Sequence, residues 1–435
     1  MSDSPRPSAL ALTPLLVFLA LFFGAGLYFT ATGTEMGFYQ LRAPVAILPA
    51  LALGAFLAWR RGIKPTETLL EGMGQSNVML MCLVFLLAGA FATVSKAIGA
   101  VDAVVALGLG NLPPMLILPG MFLVSALVAL AIGTSMGTIA AVAPIALGVA
   151  TQGGFDLPLM VGAVIGGAMF GDNLSMISDT TIAATRSQGV RMKEKFRENF
   201  KIALPAALLT AVLLFVLGDS GQTVAPSHHG WWLALPYLLV LVLALIGMDV
   251  LLVLAIGIAV AGAFGFVAGN YSAVQFGKDI YAGFESMIEI MLLSMLIGGL
   301  AELMRAAGGL TWLSDCIRRF AGAHSSRRAG EFSIASLSLA TDVLTANNTV
   351  AILVSGPLAK DIADHHGVSR TRSASLLDIF SCIAQGVIPY GAQILLAASL
   401  AKVSPLTLAA NVHYCWILAV VTISFMLFRP TKSAN

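Results

Sequence analysis

The sequence predicts an all-α polytopic membrane protein with about ten transmembrane helices and two re-entrant hairpins, arranged as two inverted-topology repeats with broken helices. Three observations carry this. First, 58% of the 435 residues are hydrophobic and 11% are charged, where an average soluble domain carries about 25% charged residues. Second, the chain aligns weakly with itself. Third, polar residues interrupt the apolar runs at four places only.

A bilayer crossing needs roughly 20 apolar residues, and such runs recur at Leu10–Phe29, Val78–Thr93, Leu233–Ile246 and Leu251–Val267. A water-soluble fold is excluded, and nothing remains for a separate soluble domain. Residues 1–8 are polar and precede about 25 mostly apolar residues, longer than a signal-peptide core, so residues 1–40 read as a retained extra helix.

At an offset of about 209 residues, Gly89, Lys96, Ile98 and Gly99 meet Gly298, Arg305, Ala307 and Gly308. Gly54-Ala55-Phe56 likewise meets Gly262-Ala263-Phe264, Gly72 meets Gly283 and, after a short insertion, Pro144 meets Pro357. The first repeat therefore spans 41–220, with spans at 43–60, 78–98 and 201–218, a hairpin at 115–152 and a broken helix at 157–185. A linker helix lies in 221–248. The second repeat spans 249–430, with spans at 249–269, 287–306 and 408–428, a hairpin at 331–362 and a broken helix at 373–400. The stretches 101–112 and 310–322 are expected to lie along the membrane interface, because Leu310, Trp312, Leu313 and Ile317 share one side.

Orientation follows from the basic residues. With both termini cytoplasmic, 20 of the 24 Lys and Arg fall inside, and only Arg42, Lys96, Lys278 and Lys402 fall outside. This places 219–231 and 269–285 outside and gives the repeats opposite orientations, a pattern of secondary transporters. The expected location is a bacterial inner (cytoplasmic) membrane.

Polar groups in hydrocarbon are costly unless paired or lining a cavity. The first hairpin carries Thr134, Ser135 and Thr138; the second carries Asp342, Thr345, Asn347, Asn348 and Thr349. The first broken helix holds Asp172, Asn173, Ser175, Ser178, Asp179 and Thr180. The second has Pro389, which removes a backbone donor, beside Tyr390 and Gln393, with Asp378 about three turns earlier. Hairpin tips and broken helices from opposite repeats are expected to meet near the midplane. Unwound carbonyls and carboxylates there suit Na⁺, a hard cation, and competition of Na⁺ and H⁺ for one carboxylate is enough for exchange. Each group also has a plainer use: capping for Asp172, Asp179, Asn347 and Asn348, small-residue packing for the first hairpin, a water-facing edge for Asp342 and Asp378. Glu302 and Arg305 read as a helix-surface ion pair, and His228, His229, His365 and His366 as solvated loop residues.

Cys82, Cys316, Cys382 and Cys415 show neither disulfide nor metal spacing. No bound cofactor is expected: there is no nucleotide motif, and the transported ions, Na⁺ and H⁺, supply the energy. Met169, two before Gly171, breaks the Gly-x-Gly-Asp pattern of intramembrane aspartyl proteases, and compact polar clusters argue against a continuous channel. The expected partners are the lipid bilayer and the small ion or small molecule carried, without nucleic acid; a homodimer is open.

The run from Gly171 to Thr181, with Gly133-Thr134-Ser135-x-Gly137-Thr138 upstream, resembles the paired signatures of the NhaC-type sodium/proton antiporter family, within the ion-transporter superfamily of inverted-repeat elevator-type carriers. The resemblance covers roughly 43–428. Met176 stands where a proline is usual, and Asn173 where a lysine is often found. The resemblance implies Na⁺ bound by Asp172, Asn173, Ser175 and Asp179 with the hairpin tips, exchanged for protons by alternating access. It leaves as an alternative a Na⁺- or H⁺-coupled carrier of an amino acid or carboxylate, held by Asn347, Asn348, Thr349, Tyr390 and Gln393.

Overall fold

A computed structural model describes residues 6–34, 37–103, 106, 113–176, 178–218, 231–269, 271–322 and 326–428. The first part of the chain forms α1 (Thr13–Ala31), α2 (Ala43–Trp59), α3 (Pro65–Met73) and α4 (Ser76–Ala97). It continues through α5 (Ile117–Ile132), α6 (Ser135–Gly153), α7 (Leu157–Leu174), α8 (Asp179–Gln188) and α9 (Met192–Leu217). The second part holds α10 (Leu235–Leu245), α11 (Val250–Val267), α12 (Ala273–Ala306) and α13 (Gly309–Gly322). Then follow α14 (Arg327–Thr345), α15 (Asn348–His365), α16 (Arg370–Val387), α17 (Ala392–Ala401), α18 (Pro405–Ala410) and α19 (His413–Phe428).

No strand occurs among the described residues, and nine helices there are long and apolar enough to cross a membrane, besides three shorter apolar ones. The chain is a multi-pass all-α membrane protein. Three expectations change. The stretch 269–285 is helical from Ala273, so α12 runs 34 residues, and α9 begins at Met192, ahead of the expected span 201–218. His366 is buried, with Nδ1 3.0 Å from the Ile362 carbonyl, because it sits in the closing turn of α15. Most of 101–112, with His228, His229 and all but the last residue of 219–231, lies outside the described residues; α13 is a helix over the second interfacial stretch.

The two halves share their helix boundaries. Ser135 and Asn348 open α6 and α15 213 residues apart, and the same spacing separates the starts of α7 and α16 and of α8 and α17. It also relates the left-handed tips Gly133 (φ 77°) and Ala346 (φ 49°), the first easy for glycine and the second strained for alanine.

The equivalent helices α4 and α12 cross at their own equivalent points. The Cys82 thiol points at the Met291 carbonyl, 209 residues away. On either side of that contact, Val78 approaches Gly298, and Gly89 lies against Gly283. Increasing numbers on one helix meet decreasing numbers on the other, so these equivalent helices run antiparallel. A Cβ on Gly89 would overlap the Gly283 carbonyl, which is why the crossing needs glycine.

Overpacking of a close crossing costs about 1–3 kcal/mol. Gly89→Val is therefore expected to lower the thermal midpoint of the detergent-purified protein, while Gly24→Ala, with open space around its Cβ position, leaves it within a degree or two; equal midpoints for both variants would dismiss this crossing as a stability determinant.

Candidate functional site

Glycines on α7 bring its end into contact with the first hairpin. A Cβ on Gly167 would overlap the Phe122 carbonyl, and one on Gly171 the Ala129 side chain, so α5 lies directly on α7. Asp172 follows, and α7 stops two residues later, where Ser175 turns extended. Ser178 restarts the helix as the N-cap of α8, accepting from the Thr181 amide at 3.2 Å. Its hydroxyl also donates to the Asp172 carbonyl at 3.1 Å, so the cap holds both sides of the break.

The carbonyls freed at this break have partners. Thr181 Oγ1 donates to the Ser175 carbonyl at 2.8 Å. Lys195 of α9 donates from Nζ to the Asn173 carbonyl at 3.0 Å and to Thr181 Oγ1 at 2.6 Å, and pairs with Asp378 Oδ2 of α16 at 2.7 Å. Asn199 Nδ2 repeats the pattern, donating to the same carbonyl at 2.9 Å and the same carboxylate at 2.8 Å. The Lys195 and Asp378 side chains are 1% and 0% exposed, so this pair is shut away from solvent. Asp378 is thus no water-facing carboxylate but the counter-charge of a lysine that clamps the unwound backbone.

Asp172 belongs to a different network. Ser135 Oγ, at the start of α6, donates to Asp172 Oδ2 at 2.9 Å. Gln393 Nε2 of α17 donates to Ser135 Oγ at 3.1 Å, and Gln385 Nε2 of α16 donates to Gln393 Oε1 at 2.7 Å and to the Ala346 carbonyl at 3.2 Å. One chain of hydrogen bonds therefore joins the first broken helix, the first hairpin, the second broken helix and the second hairpin tip.

Beside this chain lies a cavity of about 430 Å³. Of the residues singled out in the sequence, Thr134, Ser135, Asp172, Asp179, Thr180, Asn347, Asn348, Thr349 and Gln393 line it. Asn77 at the start of α4, Asp249 before α11, and Gln385 line it too and were not foreseen. The others serve elsewhere. Thr138 bonds back to the Thr134 carbonyl at 3.0 Å, and Ser175 donates to the Leu130 carbonyl at 3.3 Å. The Asn173 side chain lies against the Tyr414 hydroxyl. Thr345 and Tyr390 line a narrow crevice of about 30 Å³ on α12, Tyr390 donating to the Val343 carbonyl at 2.7 Å. Asp342 is fully buried rather than at a water-facing edge, with no side-chain partner and the Gln385 backbone beside it. Asn347 lines the cavity and also caps α15 through the Val350 amide at 3.1 Å. Glu302 and Arg305 form the expected pair, with Arg305 Nε 2.8 Å from Glu302 Oε2.

Among the described residues, the cavity walls carry the carboxylates of Asp172, Asp179 and Asp249 and no Lys, Arg or His. Asp249 is partly neutralised, since it caps α11 by accepting from the Leu251 amide at 2.9 Å. Such a wall favours a cation and disfavours an anion.

A sequence model of the Na⁺/H⁺ antiporter family matches residues 52–218 and 224–429. The chain belongs to that family. This Na⁺/H⁺ antiporter family member is 26% identical over 383 residues to the Na⁺/H⁺ antiporter NhaC of Bacillus subtilis, covering 80% of this chain and 82% of that one. It is 26% identical over 328 residues to the malate-2H⁺/Na⁺-lactate antiporter of the same organism, covering 70% and 67%. It is 23% identical over 403 residues to the arginine/ornithine antiporter ArcD of Halobacterium salinarum, covering 84% and 82%.

Removing one partner of a buried ion pair costs about 3–5 kcal/mol because the other charge stays behind. Lys195→Met is expected to destabilise the family member by that order, and Lys195→Met with Asp378→Leu by less than Lys195→Met alone. Thermal unfolding of the two single variants and the double variant measures this; additive losses would deny the pairing.

Proposed function

We propose that the protein exchanges Na⁺ for H⁺ by alternating access, with Asp172 as the carboxylate for which the two ions compete. The observation that carries this is the cavity itself: three carboxylates, hydroxyls and amides from both hairpin tips and, among the described residues, no basic side chain on its wall. Ser135 orients the Asp172 carboxylate through Oδ2, and Asp179 and Thr180 of α8 are further oxygen donors on the same wall. Family membership supports the same reading. The ion gradient is the energy source, and no bound cofactor is needed.

The basic-residue count supports an inner membrane with both termini cytoplasmic. In that orientation the starts of α4 and α11, with Asn77 and Asp249 of the cavity wall, lie at the cytoplasmic end. Cysteine labelling at Ser227 and Ser325 tests it: reagent from outside should reach Ser227→Cys and not Ser325→Cys, and the reverse would invert the assignment.

A second reading takes a small organic cation as substrate, favoured by a volume larger than one bare Na⁺ needs. A dicarboxylate fits less well, since no cationic side chain on the wall would receive it.

In proteoliposomes holding an internal pH dye, a Na⁺ gradient alone is expected to drive proton movement in the opposite direction. Asp172→Asn keeps the side chain's size and its bond to Ser135 but removes the titrating charge, and should abolish the exchange in a protein that still purifies as a single species. Proton movement that needs an added solute would favour the second reading; undiminished exchange in Asp172→Asn would remove Asp172 from the mechanism.

A further inference from the structure

We infer that Gln385 is a cation ligand of this site, supplied by the second repeat opposite the carboxylate of the first. The inference rests on the cation reading of the cavity and adds to it a residue and a ligand atom.

Gln385 is 1% exposed, yet its Oε1 has no hydrogen-bond partner among the described residues. An unsatisfied buried acceptor is expensive. The amide cannot relieve this by flipping, because its other end donates to two acceptors, the Ala346 carbonyl and Gln393 Oε1, and one of these is a backbone carbonyl that can only accept. Its orientation is fixed by the network, and the free oxygen is the atom left over. Gln385 lines the same cavity as Asp172.

The position carries a second argument. Gln385 stands 213 residues after Asp172, the spacing that relates the boundaries of α7 with α16 and of α8 with α17. Asp172 and Gln385 are thus the same place in the two halves, three residues before the break in each. One half supplies a carboxylate and the other a neutral amide oxygen. The amide oxygen adds a ligand atom without adding to the charge of the Asp172, Asp179 and Asp249 wall, and a further carboxylate there would tilt the site toward a divalent cation.

The test uses the purified full chain in detergent and equilibrium binding of radioactive Na⁺, with Ca²⁺ as competitor. Gln385→Leu should weaken Na⁺ binding by at least about tenfold, the loss of one ion–oxygen contact. Gln385→Glu should gain affinity for Ca²⁺, which then displaces Na⁺ at a concentration at least about tenfold lower than in the wild type. A gain of that kind does not arise from loosening the hairpin tip, so it separates a ligand from an anchor. Unchanged Na⁺ binding in Gln385→Leu, or Na⁺ binding weakened in both variants without a gain in Ca²⁺ affinity, overturns the proposal. If Gln385→Leu does not fold, the Ca²⁺ competition in Gln385→Glu decides alone. A wild type with neither saturable Na⁺ binding nor Na⁺-driven proton movement sinks the cation reading itself, and the proposal with it.

Discussion

A helix that unwinds in hydrocarbon frees carbonyls that only the protein can satisfy, and the site is built around that constraint. At the first break the partners are Lys195, Asn199, Thr181 and Ser178. Near the second hairpin tip they are Gln385 and Tyr390. Lys195 is the strictest of these, since its ammonium sits among a backbone carbonyl, a hydroxyl and a carboxylate, the oxygen set that a free cation would otherwise seek. The tethered charge holds the unwound chain at the Asn173 carbonyl and leaves Asp172, the residue before it, to the cavity.

The same constraint explains which parts of the sequence were legible. Helix existence followed from long apolar runs, and the two breaks from Gly, Ser and Pro at mid-span, because both depend on local composition. α3 and the early start of α12 were missed because their helices begin in polar sequence, where hydropathy gives no signal. Among site residues, a hydroxyl or amide in an apolar run marks either an ion ligand or a donor for freed backbone, and sequence cannot separate the two. Ser175, Ser178 and Tyr390 were taken for ligands and serve the backbone. Lys195 was hidden in the basic stretch between the broken helix 157–185 and the span expected at 201–218. Gln385 was readable in principle, through the repeat spacing from Asp172.

The two halves are built alike and charged differently. Lys195 corresponds to Leu408, and Asp172 to Gln385, at the spacing shared by the helix boundaries. A carboxylate in place of Gln385 would have added a fourth negative charge to a wall that already carries Asp172, Asp179 and Asp249, raising the cost of every state without a bound cation. Ala346, strained at φ 49° where the first repeat has Gly133, offers its carbonyl to Gln385. Strain held by a defined hydrogen bond is typical of functional turns, and here the bond comes from the amide of a residue that also lines the cavity.

The charges also divide the molecule. Arg372 of α16 is fully buried between Glu198 of α9, at 3.5 Å, and Glu331 of α14, at 3.3 Å. With Lys195 and Asp378, these pairs tie α9, α14 and α16 into one unit through contacts that would be costly to separate in a low dielectric. The boundary between this unit and the crossed helices α4 and α12 is of another kind. At the cavity it presents Leu80, Met81 and Val84 of α4 to the hairpin tips. Apolar surfaces can slide across each other without breaking directional bonds, whereas ion pairs buried across such a boundary would hold it in one register. The buried ionic contacts thus lie within one unit, while Leu80, Met81 and Val84, with Asn77 at the start of the same helix, meet the hairpin tips where that unit adjoins α4.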